Sequence, residues 1–351
     1  MKVFLLIVGL VLVFIVFAIA RYTMRIGKPV DIAKSDNYYH HRWEEKIIYS
    51  PMGNWFELGY IEMDADPITF AVLDREFAKD KNAIYWKGKR QFADVATFYV
   101  DENRIPKDQQ HVYYLRTSWP DTMTVVQGAN PTDYKPYMLK GEKYNQGWFR
   151  DDHSFYLEGH PADVDYQSFQ RLNEVLAIDT NHVYITRIKE GEPKALVAKL
   201  KNPGGEALPI NDLYARIGSH IFISLWDVEL TELDFKAIDS ISVLDDTNIV
   251  VNDQLVSRGK LIPEADVASL EILPQDYKRD SQHVFYFDKV IPDADPATFE
   301  IVHDAYSKDR QHVFYQTRIL QGADPSTFKM DFGQGIGSDG VRNYREGELI
   351  K

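Results

Sequence analysis

The chain reads as an all-β protein built from tandem units of about 29 residues, preceded by one N-terminal transmembrane helix. Three observations carry this reading. First, a phrase recurs. Asp280-Ser-Gln-His283-Val284-Phe285-Tyr286, followed by Ala294-Asp295-Pro296-Ala-Thr298-Phe299, returns 29 residues later (309 − 280) as Asp309-Arg-Gln-His312-Val313-Phe314-Tyr315 with Ala323-Asp324-Pro325-Ser-Thr327-Phe328. A fixed period of this size marks modules that complete their cores on their neighbours. Second, aromatic residues make up 13% of the chain, and 40 of them are Tyr or Phe (21 + 19), residues that favour half-buried pleated surfaces. Third, Val3 to Ala20 holds no charge and is flanked by Lys2 and Arg21.

That apolar run just reaches the length that spans a bilayer at about 1.5 Å of rise per residue. Residues 1–28 are therefore assigned to a signal anchor and 29–52 to a polar juxtamembrane linker. Ala18-Ile19-Ala20 also suits a signal-peptide cut near Ala20, which leaves secretion as the alternative. With Lys2 on one side and Arg21, Arg25 and Lys28 on the other, positive charge does not decide the orientation. The very short N-terminal tail before the apolar run favours export of the large domain. Within the linker, Tyr38-Tyr39-His40-His41 resembles a metal tract, but no carboxylate or further histidine stands at ligand spacing, so a solvated stretch is expected.

The repeat domain is expected over 53–351. Earlier copies align on the clear ones: Asp80-Lys81-Asn82-Ala83-Ile84-Tyr85-Trp86 with Ala93-Asp94 and Thr97-Phe98; Asp108-Gln-Gln-His111-Val112-Tyr113-Tyr114; Asp151 to Tyr156; and Asp179 to Tyr184. Trp55-Phe56 with Asp66-Pro67 reads as a first unit lacking its aspartate. Gly218-Ser-His220 and Asp246-Thr-Asn-Ile249 read as worn copies, and Asp339 to Tyr344 closes the series. Val284 to Phe287 is apolar at successive positions, so this strand needs cover on both faces. Asp-Pro starts a helical turn, with Asp as N-cap and Pro at the first helical position. Each unit is thus a hairpin, a short helical turn and a third strand. The units stack as a β superhelix or a propeller-like array, and the short period favours the former, because four-stranded blades usually need about 40 residues or more.

Asp-Lys-Asn at 80–82 with Ile84-Tyr85, Val112-Tyr113-Tyr114 and the recurring Ala-Asp-Pro-x-Thr-Phe resembles the bacterial DKNYY repeat family over roughly residues 53–330. The resemblance implies a bacterial envelope context, here a single-pass inner-membrane protein with its repeats periplasmic or extracellular. It implies no enzymatic activity and carries over no catalytic residue.

The residues themselves exclude several chemistries. A formal charge of −13 with no basic cluster argues against nucleic acid. Zero cysteines remove disulfides, thiolate metal sites and cysteine nucleophiles. His111, His182, His220, His283 and His312 share one slot, yet Ala83 and Ile249 fill it elsewhere, so a packing or hydrogen-bonding role is expected rather than a metal ladder. Asp64/Asp66 and Asp293/Asp295 lack the oxygen count of a calcium loop. Gly333-Gln-Gly335-Ile-Gly337 lacks the strand–loop–helix setting of a nucleotide loop, and no nucleophile elbow or paired-histidine zinc motif occurs. No cofactor and no metal are therefore predicted, and the protein is not expected to be an enzyme.

Function is sought instead where the repeat is interrupted. The insertion between Tyr114 and Asp151 carries Trp119, Tyr137 and Trp148, the candidate binding residues, together with Tyr134, Tyr144 and Phe149. Insertions in repeat arrays often form the contact face. A protein-interaction scaffold is the leading expectation. A glycan- or cell-wall-binding module using those aromatics, or a hydrolase in the degenerate middle, are the alternatives.

Overall fold

The computed structural model describes residues 14–15, 25–117, 121–186, 196, 199–225, 229–331, 333 and 335–350. These residues form a nearly all-β chain of short antiparallel meanders joined in sequence order: nine four-stranded sheets and one split into two hairpins. The modules span residues 26–63, 71–91, 99–125, 135–161, 170–201, 207–234, 241–262, 271–290, 300–319 and 329–350. In the split third module, a single bridge between Lys107 and Val112 links the two hairpins. Contacts divide the chain into two units, residues 1–166 with 193–195 and residues 167–192 with 196–351.

Each period holds four strands, one more than the sequence predicts. The ninth module shows why. Glu300–His303, Tyr306–Lys308, Val313–Tyr315 and Arg318–Ile319 pair in order. The unpredicted strand is Tyr306–Lys308, immediately before Asp309. Strands this short fit four to a period because they are joined by minimal turns. In the Lys87-Gly88 and Glu346-Gly347 turns both residues have positive φ, the geometry that matches strand twist in two-residue hairpins. The expected helical turn shrinks to a single hydrogen-bonded turn, as where the Phe98 N–H donates to the Asp94 carbonyl at 2.9 Å.

The N-terminal boundaries also change. Residues 29–52 are folded, not a linker: Ile26–Pro29, Tyr38–His41, Ile47–Tyr49 and Ile61–Met63 make the first sheet. Tyr38, Ile47 and Ile48 are fully buried there. Trp55–Leu58, expected to open the first repeat unit, is a four-residue helix in the connection before the sheet's last strand. Most of the predicted anchor, 3–20, lies outside the described residues. Among the described residues no helix is long and apolar enough to cross a membrane.

Modules share cores with their neighbours through the phenylalanine of the Thr-Phe phrase. Phe70 stands between Tyr38 of the preceding module (5.6 Å between ring centroids) and Tyr85 of its own (5.9 Å). Phe98 repeats this with Phe77 and Tyr113, and Phe328 with Tyr306 and Tyr344. Burying such a ring contributes roughly 1.5–3 kcal/mol, and each well-placed aromatic pair about 0.5–1.5 kcal/mol more. Cores run across module boundaries: Tyr277, Val284 and Ile291 of the eighth module cluster with Phe299 and Phe314 of the ninth.

Candidate functional site

The recurring aspartate sits in the tight loop between the second and third strands and is buried: Asp80, Asp108, Asp151, Asp179, Asp280, Asp309 and Asp339 are all at most 6% exposed. Its Oδ1 accepts the backbone N–H groups two and three residues on, from Asn82 and Ala83 at 2.7 and 2.8 Å in the second module and from Gln282 and His283 at 2.7 and 2.6 Å in the eighth. Its Oδ2 reaches back to the preceding Asp-Pro-type turn, accepting the N–H of Asp66 at 2.7 Å, Asp266 at 2.8 Å and Asp295 at 3.0 Å. In several modules the tyrosine five residues on donates its hydroxyl to the same oxygen, as Tyr85 does at 2.9 Å and Tyr113 does to Asp108, whereas Tyr344 donates to the Gln321 carbonyl at 3.3 Å. Burial pushes the carboxyl of Asp80 up, but hydrogen bonds from Asp66, Asn82, Tyr85 and Ala83 outweigh it and hold the group below its ordinary 3.8. Asp108 and Asp280 are lowered by the same balance.

Two further contacts repeat. The Thr or Ser of the turn accepts the N–H just after the aspartate, Thr97 from Gln109 at 3.1 Å and Thr298 from Arg310 at 3.2 Å. The cation just before the aspartate donates to a carbonyl in the next turn along: Lys79 to Val95, Arg279 to Pro296 and Lys308 to Pro325, at 3.1 to 3.3 Å. The tyrosine six residues on supports the following module. A Cβ on Gly159 would lie 2.6 Å from Tyr114 Cβ, and one on Gly347 would lie 2.5 Å from the ring of Tyr315.

These geometries make one structural device of the whole phrase, and the sequence match agrees. The DKNYY family model covers residues 148–303 and 287–348. The chain belongs to the DKNYY family. A search of curated proteins gave no match. In DKNYY terms, the aspartate is a buried hub, the first tyrosine closes it, and the second braces the next module.

The departures from the DKNYY phrase have structural causes. In the first module His41 takes the hub position: its Nδ1 accepts the N–H groups of Trp43 and Glu44 at 3.2 and 3.0 Å. The expected solvated histidine stretch is therefore a buried loop anchor. In the worn middle, Gly218-Ser219 and Asn252-Asp253 replace the hub loop with tight turns. Asp246 to Ile249, aligned with the hub from sequence, lies one strand earlier. Asparagines in the turn between the first and second strands also tie modules there. Asn173 donates to the Asn211 carbonyl at 2.8 Å, and Asn211 to that of Asp246 at 3.1 Å. An amide serves because it accepts from its own loop and donates to the next.

The histidine slot is a packing position, as expected. Each ring lies against the aromatic two residues on, His283 on Phe285 at 5.9 Å and His312 on Phe314 at 5.8 Å. Asp151, Asp152 and His153 form the cluster nearest to metal spacing among the described residues. Asp151 is already occupied as a hub, and His153 Nδ1 lies 2.6 Å from Asp152.

Of the three predicted binding residues, Tyr137 and Trp148 are neighbours across a strand pair, the Tyr137 N–H donating to the Trp148 carbonyl at 2.9 Å. Trp119 lies outside the described residues. Trp148 is 1% exposed, within a central strand of the fourth sheet, and has no face to offer a ligand. Tyr137 packs on Phe155 at 5.0 Å, with the Arg150 guanidinium 6.0 Å from its ring centre. Two features escape a reading of the sequence. Lys278 is buried in a slot that Ala78, Ala177, Ala215 and Ser307 fill elsewhere. Its Nζ donates to the Phe287 carbonyl at 2.6 Å, and burial pushes its ammonium down to about 8 against the pull of Asp245, Asp276 and Asp288. The second is a groove of about 400 Å³ between the second and third modules, lined by Phe92, Asp94, Gln109, Gln110, His111 and Val125 among others. Phe92 is 93% exposed at its rim.

Proposed function

We propose that the protein is a non-enzymatic scaffold of the bacterial envelope, tethered to the inner membrane by residues 3–20, whose stacked modules present a surface to a protein partner outside the membrane. One observation carries this reading: the acidic residues that recur most regularly are buried and saturated by donors of their own chain. Asp108 takes N–H groups from Gln110, His111 and Asp94 and a hydroxyl from Tyr113. A carboxylate so engaged neither binds a cation nor moves a proton without dismantling its loop. The repeated polar residues therefore build the array, and contact with other molecules falls to the exposed departures from it. In the worn middle, the amides of Asn173 and Asn211 tie successive modules, a structural use of the residues that depart from the phrase. Among the insertion aromatics, Trp148 is buried and offers no ring to a ligand.

The cysteine-free chain makes the test direct. A single cysteine at exposed Asn103 is expected to react with a membrane-impermeant maleimide in intact cells, while the full chain stays in the membrane pellet after carbonate extraction. Labelling only after lysis, or release by carbonate, overturns the tethered outward placement. Crosslinking in those cells then yields one stoichiometric protein adduct if the scaffold reading holds. Soluble versions must begin no later than Arg25, because a start at 29 removes the strand Ile26–Pro29.

A further inference from the structure

We infer that the groove under Phe92 binds an uncharged carbohydrate chain, with the Phe92 ring as the stacking platform. The repeat supplies its own control for this assignment. The residue two before the turn aspartate or asparagine is Asp64, Gly128, Pro161, Glu264, Asp293 or Gly322 in other modules. Among these turns of the described residues, where Leu200 stands two before Asn202, the aromatic at this position is Phe92, and it is 93% exposed. It joins no hydrophobic cluster and no ring pair among the described residues. An exposed phenylalanine in a slot suited to Asp or Gly points to a contact outside the chain.

The chemistry around the ring selects the ligand. Both carboxylates of the groove are engaged. Asp94 accepts from Ala96 N–H at 3.0 Å and Thr97 hydroxyl at 2.6 Å, and Asp108 is a saturated hub. The polar groups left are the exposed carboxamides of Gln109 and Gln110 and the outer edge of His111, whose Nδ1 already faces Asp108. Amides and an imidazole edge offer polar groups in one plane, which matches vicinal sugar hydroxyls, and the ring face takes the apolar C–H side of a pyranose. A protein hot spot needs several apolar anchors in a desolvated pocket. Apart from Phe92, the exposed apolar side chain here is Val125, at 38%. A hollow of about 340 Å³ in the ninth module lies elsewhere on the repeat, lined by Glu300, Lys308 and Arg310 among others and not by Asp293, the counterpart of Phe92. The inference does not depend on the membrane tether or on the scaffold reading.

The test uses the purified full chain in a sugar-free detergent, with the β-1,4-linked N-acetylglucosamine tetramer and cellotetraose as probes. Saturation-transfer NMR is expected to show transfer to the ring C–H protons of at least one probe, and calorimetry to give its affinity. Phe92→Asp restores the residue other modules carry, so its melting curve should be unchanged while binding weakens about tenfold or more. Gln110→Ala should weaken it about threefold. If Phe92→Asp perturbs folding, Phe92→Leu keeps apolar bulk without the π face and must show the same loss. Absence of transfer for both probes, or undiminished binding by Phe92→Leu, overturns the assignment. So does a photo-crosslinking residue at 92 that captures one protein in cells while neither sugar binds, since the groove is then a protein site.

Discussion

The hydroxyl of Tyr156 donates to Oδ2 of Asp151 at 2.8 Å, completing a set of four donors with the N–H groups of Asn130, His153 and Ser154. Tyr156→Phe should cost about 1.5 kcal/mol, the scale of one hydrogen bond to a charged group. The loss is bounded because Phe285 and Phe314 occupy this slot in other modules. Asp151→Ala should cost about 3–5 kcal/mol by stranding buried donors. Hydrogen exchange at His153 and Ser154 reads both effects locally, which suits an array whose parts need not unfold together. Equal effects of the two substitutions would show that the tyrosine, not the backbone, holds the loop.

Acid should unfold the protein through its hubs. Asp80, Asp108, Asp280 and Asp339 are all held below 3.8 in the folded chain. The unfolded chain therefore binds more protons around pH 4. The stabilisation is fully present above the ordinary carboxylate value and drains away as pH falls through the lowered folded values. Melting temperature should be nearly flat from about pH 7 to 5 and fall steeply below about pH 4. Asp280→Asn should melt lower at neutral pH and show a shallower acid slope. An unchanged slope would place the acid sensitivity elsewhere.

Two glycines with nearly the same φ separate conformational strain from contact between modules. Gly88 and Gly128 have φ of +75° and +76°, but a Cβ on Gly88 would lie 2.5 Å from Tyr49 Cβ, while Gly128 faces open space. Gly128→Ala should cost about 1–2 kcal/mol from its left-handed conformation alone. Gly88→Ala should cost roughly 1–3 kcal/mol more, from overpacking of the junction with the first module. Thermal melts that show equal losses would mean that the junction gives way to the added methyl.

Lys278 should weaken the fold at neutral pH. Its folded value of about 8 lies below the ordinary 10.5, so the unfolded chain holds the proton more tightly. Stability should therefore rise with pH from about 8 toward 9.5, below the range where tyrosines begin to ionise. Lys278→Met should melt higher than the parent at pH 7 and lose that rise. A lower melting point would mean that the Nζ bond to the Phe287 carbonyl outweighs the burial of charge.

The phrase makes the modules legible, and the phenylalanine mortar follows from burial on two faces. Tyr306–Lys308 escapes prediction because a three-residue strand beside an Asp loop has too few positions to show alternation. The first sheet resembles a linker in sequence because His41 does the work of an aspartate there, and no residue type announces that exchange. Trp148 illustrates the limit for sites: an insertion aromatic in sequence, it is a strand residue paired with Leu157 in space. Phe92 is legible as an aromatic in a polar slot, a signal that emerges only once the copies are set in register.

Because Phe299 and Phe328 do the same job one period apart, the strand that follows either of them starts against an equivalent ring. Excising 300–328 would splice Phe299 to Lys329 and recreate a junction the molecule already contains. Chains of this build can change length in whole tiles without inventing a new seam, so reach becomes a variable inherited separately from the surface each tile displays.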